Sequence, residues 1–166
     1  MKPWVRFIGA NLVLTCMLLG ACATGTKSDA ASQSEAASWH GRLALVVRSD
    51  QVLSFSSAFE LRGNAQAGEL MLLTPLGQTA AALSWSAQAA VLRSNDKVQQ
   101  FESLDALIKN TLGTELPVAA LFAWLGDKPM EAAGWSADLS RYAQGRVTAQ
   151  RQTPEPPAQL RLVLDY

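Results

Sequence analysis

The sequence predicts a mainly β protein, a curved antiparallel sheet interrupted once by two short helices. Three observations carry this. Alternating apolar and polar segments recur every 8–12 residues with turn signals between them. One block, residues 103–126, switches to helical spacing. Gly and Pro are too few for a collagen-like or disordered chain, and 49% of the 166 residues are hydrophobic, enough for one buried core.

His40–Arg48 opens the sheet, with Leu43, Leu45 and Val47 on one face. Leu53–Arg62 alternates, with Phe55, Phe59 and Leu61 opposite Ser54, Ser56, Glu60 and Arg62. Residues 63–68 (GNAQAG) form a turn. Glu69–Thr74 is apolar on both faces, Thr74-Pro75-Leu76-Gly77 interrupts it, and Gln78–Ser86 resumes with Ala81, Leu83 and Trp85 in phase. Ala89–Arg93 and Lys97–Phe101 flank the turn Ser94-Asn95-Asp96.

Ser103 is an N-cap, Asp105 suits the first turn, and Leu104, Leu107, Ile108 and Leu112 form a stripe that Gly113 ends. A second helix starts at Pro117 and runs to Leu125 before Gly126. Val118, Leu121, Phe122, Trp124 and Leu125 make it apolar nearly all round, so it is buried or lines an apolar space. Gly134–Leu139, Gly145–Arg151 and Gln159–Tyr166 are the last strands; in the final one Leu160, Leu162 and Leu164 oppose Arg161 and Asp165.

Residues 1–21 have the layout of a secretory signal peptide: Lys2 and Arg6 precede an uncharged apolar run, Phe7–Ala21. The run is shorter than the ~20 residues that cross a bilayer core. Residues 22–38 carry small and polar side chains until the domain begins at Trp39, and read as a flexible tether. The domain is expected over 39–166.

The chain is formally neutral, with 17% charged residues, which disfavours nucleic acid as a partner and electrostatic capture by an anionic membrane. Both cysteines, Cys16 and Cys22, fall in the first 22 residues, so the domain has neither a disulfide nor a thiol nucleophile. No GxSxG, HExxH, P-loop or GxGxxG motif occurs. The single histidine, His40, reads as a strand-edge residue, and no catalytic or metal-binding residue is assigned.

The oddity is an apolar residue in a turn. Leu76 lies between Pro75, which lacks a backbone donor, and Gly77, which permits a tight bend. On residue chemistry alone it either projects outward or folds back onto the sheet.

Leu19-Gly20-Ala21-Cys22 resembles a bacterial lipobox. With Trp39-His40-Gly41-Arg42-Leu43-Ala44, Phe59-Glu60-Leu61-Arg62-Gly63, Gly68-Glu69-Leu70, Thr74-Pro75-Leu76-Gly77, Leu116-Pro117-Val118, Leu121, Trp124-Leu125-Gly126 and Gly134-Trp135, the chain resembles the LolB family. That resemblance implies a curved, incomplete antiparallel β-barrel of about eleven strands, where the segments above give about nine, capped by short helices over a hydrophobic cavity. It implies lipid attachment at Cys22, with diacylglycerol and an N-acyl chain as the only non-protein groups, and Ala23 is compatible with outer-membrane sorting. It implies a monomeric receptor, on the periplasmic face of the outer membrane, that takes client lipoproteins from a LolA-type periplasmic carrier. Leu76, flanked by Pro75 and Gly77, matches the family's insertion-loop leucine. Phe55, Phe59, Leu61, Leu70, Leu72, Leu83 and Trp85, covered by Leu107, Leu121 and Trp124, are the expected acyl-chain lining. The rival expectation is a scaffold lipoprotein of the outer membrane with a solid core and no cavity.

Overall fold

A computed structural model describes residues 37–132 and 134–166, which fall in one unit, Glu35–Tyr166, with its own core. The signal segment, Cys22 and nearly all of the tether lie outside the described residues.

Nine strands form one sheet: β1 Ser38–Arg48, β2 Val52–Gly63, β3 Gly68–Leu73, β4 Thr79–Trp85, β5 Ala90–Ser94, β6 Lys97–Phe101, β7 Trp135–Asp138, β8 Arg146–Arg151 and β9 Ala158–Leu164. Their order is β6-β5-β4-β3-β2-β1-β9-β8-β7, and every neighbouring pair is antiparallel. β6 and β7 do not pair with each other, so the barrel is incomplete. Nine strands is the number counted from alternation; the eleven of the resemblance exceed what the described residues form.

The first two strands are the longest and lie near the middle of the sheet, running in register from Ser38 opposite Arg62 to Arg48 opposite Val52. β1 begins one residue before Trp39. The β5–β6 hairpin turns on Asn95 and Asp96, both at positive φ, as a two-residue hairpin connection requires. Gly68 is fixed by packing: a Cβ there would sit 2.5 Å from the Trp85 ring, whose Nε1 donates to the Asn64 carbonyl at 3.0 Å.

Two α-helices lie on the concave side, α1 Leu104–Leu112 and α2 Val118–Leu125. The Ser103 side chain accepts from the Ala106 amide at 3.1 Å, and Gly113 ends α1 in the left-handed region at φ 65°. Pro117 stands one position earlier than expected. It caps α2 from outside the helix, its carbonyl accepting from the Leu121 amide at 2.9 Å. A three-residue 3₁₀ turn, Tyr142–Gln144, precedes β8; so short a turn has no periodicity for the sequence to display.

The core is uneven. Toward β7, β8 and β9 it is solid: Trp124, Val147 and Ala149 are inaccessible, and the Trp124 and Trp135 rings lie 6.4 Å apart. Toward β3, β4 and β5 the inward leucines, Leu70, Leu72, Leu83 and Leu92, are only half-buried. Side chains that point inward without being covered border a space.

Candidate functional site

That space is an apolar pocket of about 280 Å³ between the concave face of the sheet and the two helices. Strand alternation aims every second residue into it: Leu43 and Leu45 from β1, Phe55, Phe59 and Leu61 from β2, Leu70 and Leu72 from β3, Ala81, Leu83 and Trp85 from β4. Leu160 and Leu162 from β9 close the floor. The α1 stripe Leu104, Leu107, Ile108 and Leu112 supplies one wall. Val118, Leu121, Phe122 and Leu125, at i, i+3, i+4 and i+7 of α2, supply another. Among the described residues, Ser94 and Thr111 are the only polar ones on the lining. With no charge and almost no hydrogen-bonding group on it, this lining presents apolar area, worth roughly 25 cal/mol per Å² removed from water.

Nine of the ten residues expected to line an acyl cavity, namely Phe55, Phe59, Leu61, Leu70, Leu72, Leu83, Trp85, Leu107 and Leu121, border this one space. Trp124 does not, and that expectation is corrected. It sits on the flank of α2 turned away from the pocket, wholly buried, with Nε1 donating to the Met130 carbonyl at 3.0 Å. Helical geometry explains the error: residues 118, 121, 122 and 125 share a face, and position 124 falls about a third of a turn away. The same spacing identifies Phe122 and Leu125, which the sequence reading did not assign to the pocket.

Two side chains pin the far end of α2. Trp39 Nε1 and the Tyr142 hydroxyl both donate to the Leu125 carbonyl, at 2.8 and 2.7 Å. Desolvation raises Tyr142 above the ordinary tyrosine value, with the Tyr166 hydroxyl adding to it. The Trp39 ring also meets Phe122 edge-on at 5.6 Å.

The second feature is the β3–β4 loop. The Gly77 amide donates to the Thr74 carbonyl at 2.9 Å, closing a four-residue turn with Pro75 second and Gly77, at φ 78°, fourth. The Thr74 amide donates to the Gln78 carbonyl at 2.7 Å, and the Thr74 hydroxyl accepts from the Gln78 amide at 3.2 Å. Both ends of the turn are locked, and Leu76 at its third position is 87% exposed. Of the two placements open on residue chemistry, the outward one is found.

His40 is exposed on β1, and among the described residues no three His, Cys, Asp or Glu side chains converge as metal ligands. No helix of the described residues is long and apolar enough to cross a membrane.

The family model described as "Outer membrane lipoprotein LolB" matches residues 36–164. Among curated proteins, the outer-membrane lipoprotein LolB of Ralstonia nicotianae is 33% identical over 85% of this chain and 71% of its own length. That of Bordetella pertussis is 32% identical over 96% of this chain and 94% of its own. That of an Azoarcus strain is 27% identical over 99% and 97%. The match spans the whole sheet, both helices and the exposed-leucine turn, and the chain therefore belongs to the LolB family of outer-membrane lipoproteins.

Proposed function

We propose that this protein is a lipoprotein receptor of the outer membrane, which accepts lipoproteins from a LolA-type periplasmic carrier and inserts them into the bilayer. It is a non-enzymatic member of the lipoprotein localisation machinery and resides, lipid-anchored, at the outer membrane. The observation that carries the receptor reading is the apolar pocket, with two polar residues among its many lining side chains. Acyl chains do not cross an aqueous compartment unaided, because each exposed methylene costs about 0.8 kcal/mol. A palmitate-length chain thus represents on the order of 10 kcal/mol of hydrophobic free energy, which a carrier or receptor must offset until the bilayer does so.

The pocket volume, about 280 Å³, is roughly twice that of an apolar cavity of about 150 Å³ able to take up benzene. It therefore receives part of a single chain as it stands, and deeper loading requires the helices to shift. No nucleotide is needed if each successive pocket binds the tails more tightly and the bilayer is the final sink.

Leu76, presented by Pro75 and Gly77, is the membrane-insertion residue of this proposal: an exposed leucine on a locked turn enters the bilayer surface without disturbing the sheet. Cys22 carries the anchor, diacylglycerol plus an N-acyl chain. Two or more chains are what stable attachment requires. Residues 1–21 are removed as a signal peptide, 22–38 are the tether and 39–166 are the receptor domain, acting as a monomer.

Depletion in the native cell tests the function. Lipoproteins accumulating in the periplasm bound to their carrier are expected; normal outer-membrane delivery after depletion refutes the receptor role. The scaffold reading requires a solid interior, and no observation favours it.

A further inference from the structure

One strongly polar side chain is buried where the pocket reading does not use it. Arg151, on β8, is 4% exposed, and no carboxylate pairs with it among the described residues. Its guanidinium is held by oxygens from two other segments. Nη1 donates to the Glu115 carbonyl at 3.2 Å, and Nη2 donates to the Thr114 hydroxyl and, at 2.8 Å, to the Pro156 carbonyl. The Trp135 ring lies 5.7 Å from its central carbon. A planar fork of donors suits this task, because it spans several acceptors that a lysine ammonium cannot reach together.

The segments it joins matter. Thr114 and Glu115 belong to the connector between α1 and α2; Leu112, just before it, and Leu116, within it, both line the pocket. Among the described residues no backbone hydrogen bond ties residues 114–116 to the sheet. The other side-chain tie to the connector, Lys109 to Glu115 at 3.1 Å, is solvent-exposed and therefore weak. Gly113, at the start of the connector, is in the left-handed region and its amide donates only back to the Lys109 carbonyl of α1, at 3.0 Å, so it adds no tie to the sheet. The far end of α2 is fixed independently by Trp39 and Tyr142. Among the described residues, the hydrogen bonds that join the connector to the sheet are those of Arg151, beside the apolar packing of Leu116.

We infer that Arg151 is a positioning residue that latches the α1–α2 connector to the β8–β9 loop, and so sets the rate at which acyl chains pass the Leu112–Leu116 wall. This rests on the reading of the pocket as an acyl-chain site. A latch differs from a contact that merely stabilises the loaded state: releasing it speeds entry and exit together and leaves affinity nearly unchanged.

The test uses the unit 35–166 and a fluorescent C16 fatty acid in stopped-flow mixing. In Arg151→Met, association and dissociation are both expected to quicken about tenfold, with the dissociation constant held within about threefold. Unchanged rates overturn the latch, as does a faster dissociation matched by an equal loss of affinity. If Arg151→Met does not fold, Thr114→Val, which removes one acceptor, decides the matter: both rates should rise about twofold or more. If the wild-type unit takes up no fatty acid, the pocket reading fails by itself. The latch is then judged by amide exchange at Thr114, Glu115 and Leu116 in Thr114→Val, where unchanged exchange overturns it.

Discussion

Replacing Leu76 with glutamate separates folding from membrane delivery. The side chain is 87% exposed and the turn is held by bonds from Thr74, Gly77 and Gln78, so Leu76→Glu should change stability by less than about 0.5 kcal/mol. At the bilayer the change is large. A leucine withdrawn from water contributes about 1.5–3 kcal/mol. A charge carried toward the hydrocarbon costs about 2.5–3.5 kcal/mol at the bilayer centre and less near the headgroups. Taking about 4 kcal/mol for the sum, insertion by the loop falls roughly a thousandfold. The assay loads the variant with a lipoprotein from its carrier and follows transfer into outer-membrane vesicles. The expected result is normal thermal unfolding, normal uptake from the carrier and arrested delivery, with Leu76→Ala intermediate. Delivery by Leu76→Glu at the wild-type rate would refute the reasoning, because the turn would then present its leucine to no purpose.

Three further outcomes follow from the same geometry. Leu83→Trp adds bulk where the wall is half-buried beside about 280 Å³ of space, so the unfolding temperature should hold or rise while fatty-acid uptake falls at least tenfold; unchanged uptake would mean the ligand lies elsewhere. Trp124→Ala removes a fully buried ring outside the pocket and should cost about 3–5 kcal/mol, seen as a lowered denaturant midpoint; a loss below about 1 kcal/mol would contradict its place in the solid half of the core. Asp138 is held below the ordinary carboxylate value by the Ser140 hydroxyl and amide, against slight desolvation, so its contribution to stability is present above about pH 4 and fades as the pH falls further. Carbon-detected NMR titration should place its midpoint below the ordinary aspartate value and move it back up in Ser140→Ala; a midpoint at the ordinary value, or one unmoved by Ser140→Ala, would contradict the assignment.

What the sequence made legible follows the strength of each periodic signal. β2 was readable almost to the residue, because Phe55, Phe59 and Leu61 alternate with serine, glutamate and arginine. Ser103 and Gly113 bracketed α1 because capping is chemistry that single residues perform. The pocket's existence was not legible in the same way. Alternation shows that Leu70, Leu72 and Leu83 face inward, but half-burial distinguishes lining from core, and that depends on the gap between sheet and helices. Trp124 was misassigned because a helix apolar on most of its circumference hides which flank faces which neighbour. Arg151 gave no signal at all: its partners, Thr114, Glu115 and Pro156, come together only in the fold, and two of the three are reached through backbone carbonyls that any residue carries.

Titration of the unit 35–166 with a fluorescent C16 fatty acid addresses the pocket most directly. Saturable uptake at one site per molecule, displaced by unlabelled palmitate and lost in Leu83→Trp, is the expected result. A signal that neither saturates nor responds to Leu83→Trp would contradict an acyl-chain site between the sheet and its two helices.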